Sequence, residues 1–280
     1  MRKQLKSTAL IALLWAIAAL LILSAATYAW FSFSPYVNVT PMSGLIGGGD
    51  GSLLISNRYD GEYGVQCDLL LTYSSPTLQP ISTATLSRFY VAGDQTASGI
   101  VTRFYPLSAD ADTVSMHGTV YLKSEDSAHD VYFDRLKTSC GEDIQALASM
   151  RLGLLITVGG STTTHIFKLD DLYDTSSAVR QRTVMGADDI VVASADASGT
   201  PTYYPDPAVS MSDYFIQGSA ERLLPGRKAI CSIPAGEIAT VEYWLYLEGC
   251  DDHCINAVQL RDVALQLAFD GIIHQTALNP

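Results

Sequence analysis

The feature that most constrains this chain is a run of 21 uncharged residues, Ala9 to Ala29, behind a basic start of Arg2, Lys3 and Lys6. A secretory core usually holds about 7–15 apolar residues and a membrane span about 20. The run is therefore either an export signal that is cleaved or a helix kept in the bilayer with its basic end inside. Thr27 and Ala29 put small residues at the two positions a signal peptidase inspects, which places the cut between Ala29 and Trp30. Either outcome sends everything after residue 29 out of the cytoplasm. Residues 1–29 are then a signal peptide or membrane anchor, and residues 30–280 one domain.

The pattern changes at once beyond the run. Phe31, Phe33, Pro35, Val37 and Val39 alternate with Ser32, Ser34, Asn38 and Thr40, the period of two of a half-buried strand. Pro35 cannot donate to a ladder, so it marks an edge or a break. A linker that touches nothing is the plainer alternative. If Ala29 is cut, Phe31, Phe33, Val37 and Val39 line one side of a free end. That end must fold onto its own sheet or be donated to a neighbour, and donation builds a filament. A chain starting near residue 43 is then expected to keep its fold.

Charge excludes some partners. The first 29 residues hold three basic side chains and no acid, so the remaining 251 carry 14 basic against 29 acidic residues, a net of −15. Such a surface repels nucleic-acid phosphates and anionic lipid headgroups. Five cysteines are too few and too scattered for a small disulfide scaffold, and their odd number leaves at least one free or paired with another chain. Cys250 and Cys254 enclose only Asp251, Asp252 and His253. A structural zinc site wants four ligands, usually in two such clusters, and no second cluster exists in the sequence. A local disulfide, closing a small ring worth ~2 kcal/mol, or two free thiols are the readings left.

Most of the exported part reads as short strands bounded by turn residues: 51–57, 67–73, 82–92, 99–107, 117–125 and 129–136 are rich in Val, Thr, Tyr and Leu. Ile144, Leu147, Met150 and Leu154 recur at helical spacing behind Asp143, predicting a short helix near 142–150 that leads into a core strand. Residues about 170–218 mix Asp, Ser, Ala, Gly and Pro and read as an excursion with one convincing strand, "DIVVAS". The chain closes with the strongest alternations, 239–249 and 261–271, predicted to lie side by side. The fold class expected is all-β, an antiparallel sandwich behind one N-terminal apolar helix.

No GxSxG, HExxH or phosphate-cradling loop occurs, the five histidines are isolated in the sequence, and "SADADT" (108–113) lacks EF-hand spacing. Neither catalysis nor a cofactor or metal is expected.

"ATYAWFS" directly after the apolar run, "GSLLIS" at 51–56 and "YWLYLEGCDDHCIN" at 243–256 together resemble a group of exported, mainly clostridial, Gram-positive proteins. The beginning is similar to the SipW-dependent signal sequences of the camelysin/TasA family. The resemblance implies a jelly-roll β-sandwich at the cell surface, in some members a fibre subunit of the biofilm matrix, and a cut between Ala29 and Trp30. Cys250 stands where the family would carry a polar residue, which makes a Cys250–Cys254 pairing particular to this chain. Camelysin has been described as a metalloprotease, but the HExxH that would support this is missing here.

Two function classes follow. The first is a non-enzymatic cell-surface or extracellular-matrix structural protein, a fibre subunit assembling through Phe31, Phe33, Val37 and Val39. Its partners are other copies, other surface or matrix proteins and a signal peptidase, with the membrane added through residues 9–29 if these are uncleaved, and no nucleic acid. The second is a membrane-tethered binding module for glycan or protein ligands, using Tyr203, Tyr204 and Tyr214.

Overall fold

A computed structural model describes residues 37–46, 52–73, 77–95, 101–107, 111–140, 144–169, 190–195, 201–205, 207–217, 226–249, 251, 254 and 261–273. All belong to one compact unit, Pro35–Pro280. The apolar run 9–29, the cut site Ala29/Trp30, and Phe31 and Phe33 lie outside them. Among the described residues no helix is long and apolar enough to cross a membrane.

The described chain is mostly β-strand, in two seven-stranded sheets. The first sheet holds β1 (Val37–Ile46), β3 (Gln66–Cys67), β4 (Thr77–Leu78), β9 (His129–Asp134), β15 (Phe215–Ile216), β16 (Cys231–Ile233) and β18 (Arg261–Ile273). The second holds β2 (Leu53–Ser56), β5 (Pro80–Ile81), β8 (Met116–Ser124), β10 (Met150–Val158), β11 (Ser161–Lys168), β14 (Val209–Ser210) and β17 (Ile238–Glu248). Two hairpins, β6–β7 (Tyr90–Gln95 with Val101–Pro106) and β12–β13 (Ile190–Ala195 with Pro201–Pro205), adjoin each other outside these sheets.

Alternation places the core. On β17 the odd residues Ala239, Val241, Tyr243, Leu245 and Leu247 are buried, and they join Val263, Leu265, Leu267 and Phe269 of β18 in one apolar cluster drawn from both sheets. Phe133 of the first sheet meets Phe167 of the second edge to face, 5.3 Å between centroids. The helical spacing near 144 is a real helix, α1 (Ile144–Ser149), which runs directly into β10.

Three expectations are corrected. The sheets are mixed rather than purely antiparallel: β1 pairs with β18 in parallel over nine positions, from Val37 opposite Arg261 to Ile46 opposite Phe269. The first and last described strands are joined by the whole intervening domain, so no tight turn forces them antiparallel. Nor do 239–249 and 261–271 lie side by side: β17 sits between β10 and β8, and β18 between β9 and β1. Finally, 67–73 is not a strand. Only Gln66–Cys67 pairs with β1, and the segment then leaves the sheet with Leu70 and Tyr73 exposed. The excursion near 170–218 carries more order than one strand, since β14 returns to β11 and β15 to β9.

Candidate functional site

Of the residues read as an assembly strand, Val37 and Val39 stand in β1 opposite Arg261 and Val263. On its other side β1 receives Thr77–Leu78 near its start and Gln66–Cys67 near its end. Within a single chain, the place beside β18 is therefore filled by the strand that follows the apolar run. Assembly through this strand requires exchange between copies rather than donation of an idle arm. A chain starting near residue 43 would lack the first part of β1, with its pairing to β4 and five of its nine positions opposite β18, and would keep the pairing of Gly44 and Leu45 with β3, which counts against the expectation that it keeps its fold.

Cys250 lies outside the described residues, so a bond to Cys254 is not placed. The loop around it is anchored: the Asp251 carboxylate accepts from Arg151 Nη2 at 2.7 Å, with both side chains almost wholly buried. Arg151 Nη1 also donates to the Met150 carbonyl, and Cys254 N donates to Asp251 O at 3.0 Å, closing a turn. Burial pushes the Cys67 thiol up to about 11, and burial with the nearby Asp130 charge takes Cys231 to about 12. Wholly buried Cys140 is raised too. None of these three is a thiolate nucleophile at neutral pH.

The histidines that stand alone in the sequence have partners in the fold. His117 Nδ1 lies 2.6 Å from Asp112 Oδ1, and its ring stacks on Trp244 with centroids 4.3 Å apart at 7°. Its Nε2 is buried 3.9 Å from Glu242 Oε2, beyond hydrogen-bond reach. The acidic stretch 108–113 thus lends Asp112 as a tie to β8. Buried His129 lies 2.7 Å from Ser124 Oγ through Nδ1 and 3.1 Å from Ser52 Oγ through Nε2, joining the two sheets. His165 meets the Ile230 carbonyl at 2.9 Å, and burial lowers its pKa against that bond's pull. Among the described residues no group of three or more His, Cys, Asp or Glu is placed to hold a metal ion.

Of the tyrosines read as a binding face, Tyr214 packs edge-on against Phe167 (5.0 Å) and His165 (5.7 Å), inside the core's margin. Tyr203 and Tyr204 lie on β13 opposite Val192 and Val191.

The side of the second sheet turned away from the shared core is divided instead. One half is covered. Trp244 and Tyr246 of β17 join Ile166, Leu86, Phe89, Ile81 and Val114 in a second buried cluster. Phe89 meets Tyr246 edge to face at 5.8 Å. Leu86 reaches that face because Gly153 has no side chain: a Cβ there would stand 2.4 Å from Leu86 Cδ2. Thr83 Oγ1 holds the turn that delivers Leu86, accepting from Leu86 N and donating to Arg88 O. The other half carries no such apolar cover among the described residues. Thr162, Thr157, Thr240 and Tyr121 form one row across β11, β10, β17 and β8, with Thr164, Leu155, Glu242 and Thr119 beside it. Tyr59, from the loop after β2, meets the Tyr121 ring edge-on at 5.7 Å while remaining 61% exposed. Lys123 lies over Tyr63 at 5.7 Å. The sequence reading passed over these tyrosines. The only signal available was the outward register of Tyr121 in "HGTVYLKSE" and the doubled Tyr of "NRYDGEYG".

No protein-family model matches the chain, and neither a curated protein nor a solved structure matches it.

Proposed function

We propose that this chain is a non-enzymatic, exported cell-surface or extracellular-matrix structural protein, a jelly-roll-like β-sandwich of the camelysin/TasA kind that assembles by exchanging β1 between copies. The observation that carries the reading is the pairing of β1 with β18. The strand closest to the apolar run completes the first sheet, so a copy that gives β1 to its neighbour leaves a slot of the right register for the β1 of the next. A head-to-tail exchange of this sort propagates as a fibre when the rotation between copies does not close it into a ring. The uncharged run with its basic start and the small residues before Trp30 support export. The acidic surface fits a soluble exported product.

The test is made on protein recovered from the outside of cells. Mass spectrometry of its N-terminus is expected to find Trp30 first, and electron microscopy to find filaments that are lost when Phe33 and Val37 are both changed to Asp. Monomers that retain residues 1–29 would overturn the fibre reading in favour of a membrane-tethered binding module. The half-open outer face of the second sheet, with Tyr59 exposed upon it, favours that second reading.

A further inference from the structure

Large aromatic side chains are normally buried because each removes 150–250 Å² from water, yet Tyr59 is held 61% exposed on an ordered turn. Its position is fixed: Tyr63 Oη donates to the Tyr59 carbonyl at 2.9 Å, and Ile55 and Gly64 close the loop with two backbone bonds of 2.7 and 3.0 Å. Tyr59 and Tyr121 stand at 79° to each other, 5.7 Å between centroids, so together the two rings form a corner. Burial first, and then the charges of Tyr59, Tyr121 and Asp60, raises the Tyr63 phenol.

From this corner the row Tyr121, Thr240, Thr157 and Thr162 runs across four strands. At ~4.8 Å per strand it extends over roughly 14 Å. Thr157 and Thr162 already share a hydroxyl contact of 3.0 Å. The platform therefore offers rings at one end and hydroxyls along its length. β-Linked pyranoses present this chemistry in reverse: faces of C–H groups that stack on aromatic rings, edged by hydroxyls that both donate and accept. Charge narrows the class. Glu242 stands beside the row, Asp60 and Glu62 share the turn of Tyr59 with Arg58, and Lys123 is already engaged by Glu125 at 3.4 Å. An excess of carboxylates repels uronates and phosphate-bearing polymers.

We infer that the open half of the second sheet's outer face, from Tyr59 and Tyr121 along the row to Thr162, is a binding platform for a neutral β-linked glycan. It shares with the function proposed above only the premise that this face looks outside the cell, and it serves a fibre subunit and a tethered module alike.

The test uses the full chain in detergent and isothermal titration with three tetrasaccharides: cellotetraose, tetra-N-acetylchitotetraose and tetragalacturonate. At least one neutral sugar is expected to bind saturably and tetragalacturonate not at all. Tyr59→Ala and Tyr121→Ala are each expected to weaken binding roughly tenfold, the loss of one ring contact. Tyr105→Ala, which removes a comparably exposed ring elsewhere, is expected to leave it unchanged. If Tyr121→Ala misfolds by circular dichroism, the exposed Tyr59→Ala decides alone. No saturable binding of either neutral sugar, equal binding of tetragalacturonate, or full binding by Tyr59→Ala overturns the inference. Filaments play no part in the readout, so its failure and that of the strand-exchange reading are told apart.

Discussion

The two halves of the second sheet's outer face belong to the same strands and differ in what lies over them. At Trp244 and Tyr246 the face is covered by Leu86, Phe89 and Val114 and is as buried as the main core. Four residues earlier on the same strand, Thr240 is half-buried beside Thr157 and Tyr121. Strand pairing is continuous through both halves, so the difference comes from the cover and from side chains chosen to match it. A sheet that is apolar on both sides demands a lid, and one that ends in threonines leaves a surface free for another partner.

The largest effect expected from breaking this contrast is at Trp244. Trp244→Ala removes the ring that stacks on His117 and meets Phe89, and should cost about 3–5 kcal/mol in urea unfolding. The equivalent truncation in the open half, Thr240→Ala, should stay within ~0.5 kcal/mol. Equal losses at the two positions would mean that both halves are covered. Gly153→Ala is next. It places a methyl against Leu86, whose backbone already adopts φ 59°, and should cost about 1–3 kcal/mol by lifting the lid. The added Leu86→Ala change should recover part of that loss if the clash is the cause.

The smallest effect extends the comparison to the outer side of the first sheet, where Asp270 is buried near Asp134. Burial, and then the charge of Asp134, raises the pKa of Asp270 above its ordinary value. A carboxyl whose folded pKa is raised favours the fold while it is protonated and loses that contribution as pH rises through the folded pKa. Asp270→Asn should therefore melt modestly higher than the parent at pH 7, with the gain disappearing below the ordinary aspartate range. A lower melting temperature at pH 7 would mean that the charged form is the stabilised one.

The same division explains how much was legible in the sequence. The core side of β17 could be read directly from Val241, Tyr243, Leu245 and Leu247, because a period of two is a local property. Its outer side could not. Trp244 and Tyr246 look like any outward pair until Ile81, Leu86, Phe89 and Val114 pack over them, and that is a tertiary fact. The strands at 37 and 261 were visible singly, but their parallel pairing joins the two ends of the domain and has no signature in either. Cys250–Cys254 was conspicuous by spacing, whereas the buried Arg151–Asp251 pair that anchors their loop spans a hundred positions. The His117–Trp244 stack needed the register of β8 against β17. Tyr59 and Tyr121 come from separate elements, and nothing in either segment announces the corner they form.

The central claim, exchange of β1, is tested most directly by cross-linking. Val39 and Val263 face each other in the β1–β18 register, and Val39→Cys with Val263→Cys, oxidised in assembled protein, bonds whichever two strands are paired. On a denaturing gel the account predicts a ladder of covalently joined chains, each β1 fastened to the β18 of its neighbour. A single band of internally cross-linked monomer would contradict it.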